Sequence, residues 1–307
     1  METGRCVEIA TGAPLPPGAD AVVMVEDTRQ SGTVITILNR VTAGQNIGQR
    51  GADIKAGERV VAAGDVLVPS RIGAIAAIGA ARVEAFARPR VAILSTGNEV
   101  VEPGRPLPPG HIFDVNRFTL GAVASQHGCD PELHGPVADT LDALVDALDR
   151  CAAADVIVFS GGSSVGERDL ILDAVRARGE MVFHGIAVRP GKPTAFAIVN
   201  GTPFFGMPGN PTSCLSNAYV LLVPFLRATA RLPPHQPHIL RAPLGRRIAS
   251  AVGRHQFYTV RIRDGVALPA FKGSGDITSL SQADGYIEIP AEQSIVEEGA
   301  VVEITLF

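Results

Sequence analysis

The chain has 307 residues, 46% hydrophobic and 19% charged, with a formal net charge of −4. That length accommodates two or three domains with a substantial core, and the composition excludes intrinsic disorder. A mildly acidic balance without a basic stripe argues against nucleic acid as a partner, and no run of about 18 apolar residues is present to span a membrane. The N-terminus lacks the basic–apolar–small pattern of a secretory signal. Cys6, Cys129, Cys151 and Cys214 are far apart with no C-x-x-C spacing, which predicts buried thiols in a reducing compartment and a cytoplasmic location.

Residues 1–88 read as β-rich, with strand-forming runs at 22–25, 33–38 and 59–61 between Gly, Pro and Asp turns. The rigid turn Thr11-Gly-Ala-Pro-Leu-Pro-Pro-Gly18 carries one hydroxyl, on Thr11, open to a structural or a ligand-binding role. The spacing of Ile72, Ile75, Ala76 and Gly79 predicts a helix over 69–81. From Arg90 the pattern alternates between apolar strands and amphipathic helices. A buried strand at 91–94 ends in the polar turn Ser95-Thr-Gly-Asn-Glu99, and Asp114-Val-Asn-Arg117 precedes a helix at 118–126. Asp139 is a candidate N-cap for a helix at 141–153.

The stretch 155–169 is the most informative. A β-branched run at 156–159 breaks into Ser160-Gly-Gly-Ser-Ser-Val-Gly166, followed by Glu167 and Asp169 and an amphipathic run at 170–178. Strand, glycine-rich turn and helix present backbone amides and the hydroxyls of Ser160 and Ser163 at the carboxyl edge of a sheet, where an anion can be cradled. Gly161, Gly162 and Gly166 allow close approach. A carboxylate beside a phosphate repels it unless a metal lies between, so Asp169 points to phosphate plus Mg²⁺. An ordinary strand-to-helix loop with a capping Asp is the other reading. No Lys-Ser/Thr follows the glycines, so this is not a Walker A loop.

Strands are then expected at 181–188, 196–199 and 203–205, with Arg189-Pro-Gly-Lys-Pro193 between the first two. Gly206-Met-Pro-Gly-Asn-Pro211 leads into a long apolar helix at 213–230. His235 and His238 sit among prolines and read as linker rather than zinc ligands. Short β-patterned pieces follow at 255–263, 266–269, 286–290 and 301–307. The expected fold is multidomain α/β plus β: a central α/β domain with a mostly parallel sheet, a β-rich region before it and a small β-barrel after it.

Six strings occur in order: Thr11-Gly-Ala-Pro-Leu-Pro16, Ser95-Thr-Gly-Asn-Glu99, Asp114-Val-Asn-Arg117, Ser160-Gly-Gly-Ser-Ser-Val-Gly-Glu-Arg-Asp169, Arg189-Pro-Gly-Lys-Pro193 and Gly206-Met-Pro-Gly-Asn-Pro211. Together they resemble the molybdopterin molybdenumtransferases, the MoeA family, whose animal counterpart is the E domain of gephyrin. The resemblance covers essentially the whole chain. It implies a β-rich domain at 1–57, a linker and helical remnant at 58–88, a MogA-like molybdopterin-binding domain at 89–234 and a β-barrel at 235–307. It also implies the reaction: adenylylated molybdopterin plus molybdate gives molybdenum cofactor and AMP, with Mg²⁺ required.

By position in the motifs, Glu99, Asp139 and Asp169 match acidic, metal-holding site residues of the family, and Arg189 matches a basic one. Lys192, Arg254 and Ser274 match donors suited to a tetrahedral oxyanion. Thr11, Ser160, Gly161, Gly162, Ser163, Gly166, Pro208, Gly209 and Asn210 fall in the substrate-binding strings. The family further implies a homodimer with a shared site, to which Thr11 comes from the partner chain, and handover of substrate from a MogA-type adenylyltransferase. Gly185, with His184 beside it, stands where the family is usually basic. A family segment carrying Met-Asp-Gly-Tyr-Ala precedes the point where this chain begins, so a β domain entered part-way is expected, as a fragment, a mis-set start or a shortened relative. The competing readings are the adenylyltransferase, which needs only the central domain, a cofactor-binding scaffold without catalysis, and a generic nucleotide hydrolase, for which no nucleotide signature is present.

Overall fold

The computed structural model describes residues 1–161 and 170–307. It divides into two compact units, Met1–Val83 and Glu84–Phe307, each described by itself. In the first, β1 (Thr28–Ser31) and β2 (Val34–Ile37) form an antiparallel hairpin in which Ser31 pairs with Val34 across a two-residue turn. The runs at 22–25 and 59–61 do not become strands. Val22 is held instead by single bonds to the loop at 45–46, its N–H to the Gln45 carbonyl at 3.1 Å and its carbonyl to Asn46 Nδ2 at 2.8 Å. Without a neighbouring strand, β propensity alone builds no ladder. Helix α1 (Pro69–Ala77) stops short of residue 81 because Gly79, at φ +79°, takes the left-handed conformation that closes a helix.

The second unit opens with β3 (Arg90–Ser95), the short pair β4 (Val100–Val101) and β5 (Ile112–Phe113), and α2 (Asn116–Gln126). It continues through β6 (Asp130–Leu133), α3 (Leu141–Arg150), β7 (Val156–Ser160), α4 (Leu170–Arg178), β8 (Gly179–His184), β9 (Val188–Arg189), β10 (Ala195–Val199) and β11 (Thr202–Met207). A six-stranded sheet runs β6-β3-β7-β11-β10-β8, parallel from β6 to β11 and antiparallel across β10 and β8. Alternation along each strand builds two cores. Ala92, Leu94, Ile157 and Phe159 face α3 and α4, where Leu144, Leu148 and Val175 meet them. Val91, Ile93, Val156 and Val158 face α2 and the long C-terminal helix of this layer. That helix is α5 (Pro211–Asn217), a π-helical turn at Ala218–Leu222, and α6 (Val223–Thr229). Among the described residues no helix is long and apolar enough to cross a membrane.

The N-cap of α3 is Thr140, whose side chain accepts from the Ala143 N–H at 3.4 Å, and not Asp139. The hydroxyl of Thr140 reaches the first turn from a β conformation, so Asp139, one residue earlier, is free of that duty.

Beyond the linker lie β12 (Ile239–Pro243), β13 (Ile248–Ala249), β14 (His255–Arg263), β15 (Val266–Pro269), α7 (Thr278–Ser281), β16 (Gly285–Ile289), β17 (Ile295–Val296) and β18 (Val301–Leu306). The sheet order is β12-β18-β16-β14-β15, and the bridge from Leu244 to Ala267, reinforced by Gly245 N–H to the Ala267 carbonyl at 2.8 Å, joins its two edges into a small barrel. β9 pairs in parallel with β14, so Gln256 lies opposite Arg189 and the barrel is stitched onto the α/β layer. His235 of the linker meets the buried His127 ring edge-on, with centroids 5.4 Å apart.

Burial pushes the thiols of Cys129 and Cys151 up to about 11 and that of Cys214 higher still, while Cys6 is exposed. At pH 8 a thiol at 11 is ionised to only about 0.1%, and the thiolate is the reactive form. Titrating the native protein with an aromatic disulfide reagent at pH 8 is therefore expected to modify Cys6 quickly and the other three only on addition of denaturant. Rapid reaction of a second thiol would contradict the packing described.

Candidate active site

The carboxyl ends of the parallel strands open into a cleft of about 850 Å³ within the second unit. The sheet order sorts its walls. Loops after β6 and β3 bring Asp139 and Glu99 to one edge; Ser160 ends β7 and Gly161 follows it, and Pro208, Gly209 and Asn210 follow β11, in the middle. The turn between β8 and β10 brings Arg189 and Lys192 to the other edge, where the barrel adds Arg254, Lys272 and Ser274. Each of these residues lines the cleft. Glu99, Arg189, Lys192 and Arg254 are exposed to it, and Asp139 is half-buried. Thr11 is an exposed residue of the first unit. Gly162, Ser163, Gly166 and Asp169 lie outside the described residues. His184 is not among the described residues lining the cleft.

Each loop is held from beneath by a polar side chain. Asn98 Oδ1 accepts from the Asp139 N–H at 3.3 Å and so ties the two acidic loops together. Asp114 is buried, takes the Ser95 hydroxyl on Oδ2, accepts from the Arg117 N–H at 3.2 Å on Oδ1, and lies 3.1 Å from Arg117 Nε. Arg117, also buried, donates to the His134 carbonyl at 2.7 Å and to Glu102 at 3.0 Å. Asn116 Nδ2 donates to the Gly209 carbonyl at 2.8 Å. On the barrel side, Asn210 Nδ2 donates to Ser274 Oγ at 2.9 Å, and the Thr212 N–H donates to the Ser274 carbonyl at 3.0 Å.

One glycine at the centre of the cleft is required by geometry. Gly161, at φ +105°, has no room for a Cβ, which would collide with the Thr96 carbonyl oxygen. A Cβ on Gly209 would stand 3.4 Å from Gly161 Cα, so the loops after β7 and β11 meet backbone to backbone. The Gly161 N–H is spent on the Met207 carbonyl at 3.3 Å and is not left for a ligand.

The strings Asp114-Val-Asn-Arg117 and Ser95-Thr-Gly-Asn-Glu99 were legible as motifs, but the supporting roles of Asn98, Asn116 and Arg117 were not. Lys272 was also missed; it faces the cleft and gives one hydrogen bond to Thr278 at 3.0 Å. Its neighbour Ser274 in Lys272-Gly-Ser-Gly-Asp276 was the available signal.

Comparison with known proteins finds three family models along the chain: the MoeA N-terminal region (domain I and II) at 1–79, the probable molybdopterin binding domain at 92–228 and the MoeA C-terminal region (domain IV) at 241–307. The molybdopterin molybdenumtransferase of Haemophilus influenzae is 32% identical over 311 residues, covering 98% of this chain and 77% of the relative. Molybdopterin molybdenumtransferase 2 of Mycobacterium tuberculosis is 34% identical over 307 residues, covering 96% and 76%. Among solved structures, the molybdopterin biosynthesis MoeA protein of Pyrococcus horikoshii superposes with a TM-score of 0.77 at 37% identity, over 95% of this chain and 73% of that one.

Removing one partner of a buried ion pair leaves the other charge uncompensated, at a cost of about 3–5 kcal/mol. Arg117→Met, which strands Asp114, is expected to lose that much stability in urea unfolding. The double variant Asp114→Ala/Arg117→Met is expected to lose less than the sum of the single losses. Additive losses would mean that the two charges do not depend on each other.

Proposed function

The chain belongs to the MoeA family of molybdopterin molybdenumtransferases, and from that premise we propose how its cleft inserts molybdenum during molybdenum cofactor biosynthesis. The substrate is adenylylated molybdopterin, the oxyanion is molybdate, and AMP is the leaving product. The observation that carries this reading is the segregation of charge along the carboxyl edge of the sheet: Glu99 and Asp139 at one end, Arg189, Lys192, Arg254 and Lys272 at the other. A pyrophosphate-linked substrate that takes up a tetrahedral dianion at its distal sulfurs needs both environments at once.

At the basic end, the Arg189 guanidinium offers a bidentate fork and Lys192 a compact charge, with the Ser274 hydroxyl beside them. These groups hold molybdate against the dithiolene. At the centre, the glycine turn that begins at Ser160 and Gly161 and runs to Asp169 receives the phosphoanhydride. A helix terminus offers an anion only about 0.3–2 kcal/mol, so a cation is needed at the acidic end. The described donors there, on Glu99 and Asp139, are carboxylate oxygens. That arrangement fits Mg²⁺, which is held by one or two carboxylates with substrate phosphate and water, and does not fit zinc. Glu99, Asp139 and Asp169 would hold it; when bound, it neutralises charge on the phosphoanhydride.

In this reading the enzyme is a cytoplasmic homodimer supplied by a MogA-type adenylyltransferase. Val25, Val34 and Ile72 of the first unit are exposed apolar residues that a second copy would cover. Each cleft is completed in trans by Thr11 of the other subunit.

The deciding assay is AMP release from adenylylated molybdopterin with and without molybdate and Mg²⁺. Release is expected to require both. Glu99→Gln is expected to lower it by more than the roughly tenfold to hundredfold that loss of an outer-shell partner of a metal site costs. Attachment of AMP to molybdopterin from ATP, without molybdate-dependent release, would instead mark an adenylyltransferase.

The assembly has its own test. Thr11→Ala and Asp169→Ala subunits, each inactive alone, are mixed and hybrid dimers isolated. One intact site per hybrid predicts recovery of activity. A demonstrably mixed dimer with none rules out the shared site.

A further inference from the structure

Beneath the turn that carries Arg189 and Lys192 lies a sealed polar triad. Asn217 and Thr194 are buried at 1% and 0% exposure, and neither lines the cleft. Asn217 Nδ2 donates to the Gly191 carbonyl at 2.8 Å and to Thr194 Oγ1 at 2.6 Å, and Thr194 Oγ1 donates to the same Gly191 carbonyl at 3.0 Å. Gly191, at φ +105°, has no Cβ because that atom would fall on the Asn217 amide. The turn is therefore strapped by its central carbonyl to the last residue of α5. Directly after Asn217 the helix widens into the π turn at Ala218–Leu222, a rare geometry concentrated at functional sites.

The strap answers a specific need. Arg189 and Lys192 are exposed, and among the described residues the backbone between them, Pro190 and Gly191, bonds to the helix layer through that carbonyl. The outer end of the turn is held by β9 against β14, and the inner end by Ile186 and Thr194 N–H groups on the Lys192 carbonyl, each at 2.9 Å. Asn217 fixes the middle. A buried amide whose Oδ1 has no partner is costly unless its other half does something the fold or the site requires.

We propose that Asn217, acting with Thr194, is a positioning residue for oxyanion recognition: by clamping the Gly191 carbonyl it sets the separation and direction of the Arg189 and Lys192 cations. This rests on the reading of the basic end of the cleft as the molybdate site. The side chains that touch the anion are on the turn, and the residue that determines how they are presented lies 26 residues beyond Gly191, in another element.

The test uses the whole 307-residue chain and steady-state AMP release with molybdate and adenylylated molybdopterin varied separately. Asn217→Asp removes the donating amide at constant size. Thr194→Val removes the shared hydroxyl and serves where a buried carboxylate prevents folding. Both are expected to raise the KM for molybdate roughly 10- to 100-fold, the scale of a displaced binding group, while kcat at saturating molybdate and the KM for the pterin stay within about twofold. The double variant is expected to be no worse than the more damaged single one, since the two act on one carbonyl. Thr194→Ser, which keeps the hydroxyl, is expected to restore most of the lost affinity. Arg189→Ala separates the two layers of the argument. If it raises the molybdate KM while folded Asn217→Asp and Thr194→Val leave it unchanged, the strap has no positioning role. If Arg189→Ala itself leaves that KM unchanged, the molybdate assignment of the basic end falls, and the strap with it. A parallel loss in both KM values, kcat and melting temperature marks Asn217 as a fold residue only and overturns the proposal.

Discussion

Asp114 and Arg117 stand one helical turn apart at the entry to α2, both removed from water. Moving two such ions out of solvent costs several kcal/mol each, and attraction between them offsets that only if the remaining donors and acceptors are also met. Here most of them are. The Asp114 oxygens take the Ser95 hydroxyl and a backbone N–H, and the two terminal nitrogens of Arg117 reach the His134 carbonyl and Glu102. Those partners belong to the end of β3, the segment after β6, and the connection that follows β4. The pair thus clamps together the three pieces of chain that present Glu99 and Asp139. Asn116, between the two charged residues, extends the clamp to the Gly209 carbonyl after β11.

The basic edge is organised by a different device. Asn210 stands at the N-cap position of α5 yet makes no side-chain cap to its own helix; its amide goes to Ser274, and the Ser274 carbonyl receives the Thr212 N–H in return. An orphan amide of one domain's helix is therefore satisfied by a loop of the next. Thr212 Oγ1 adds a bond to the Asp276 carbonyl at 2.8 Å. Separating the barrel from the α/β layer would leave buried helix-terminal groups unpaired, which gives the polar cleft between them a defined width. Arg254 and Ser274 are thereby kept on the same cleft as Arg189 and Lys192.

The large features were legible because they rest on period and composition. Apolar strands at 91–94 and 156–159, helices at 118–126 and 213–230, and the β-patterned C-terminus all appear close to where they were expected. The six motif strings located the family without structural help. What could not be read were interactions between elements far apart in sequence. Nothing local marks Asn217 as the partner of Gly191, 26 residues earlier, or Asn116 as the partner of Gly209, 93 residues later. Short runs such as 22–25 failed for the complementary reason: local preference was present, and the neighbouring strand that would have rewarded it was not. Asp139 was misjudged as a cap because Asp and Thr are both good caps, and only the backbone angles of Thr140 decide between them.

The middle of the cleft shows how little of a binding floor needs side chains. Between the acidic and basic edges, the loops after β7 and β11 touch through Gly161 and Gly209, and the nearest buried side chains, Ser160 and Pro208, carry no charge. A Cβ on Gly161 would force the Thr96 carbonyl aside, and Thr96 leads into the loop that bears Glu99. Glycine here serves the spacing of its neighbours as much as its own conformation. The loops that carry the charged groups at those walls are held by the buried Asp114, Arg117 and Asn217 and by the exposed Asn98.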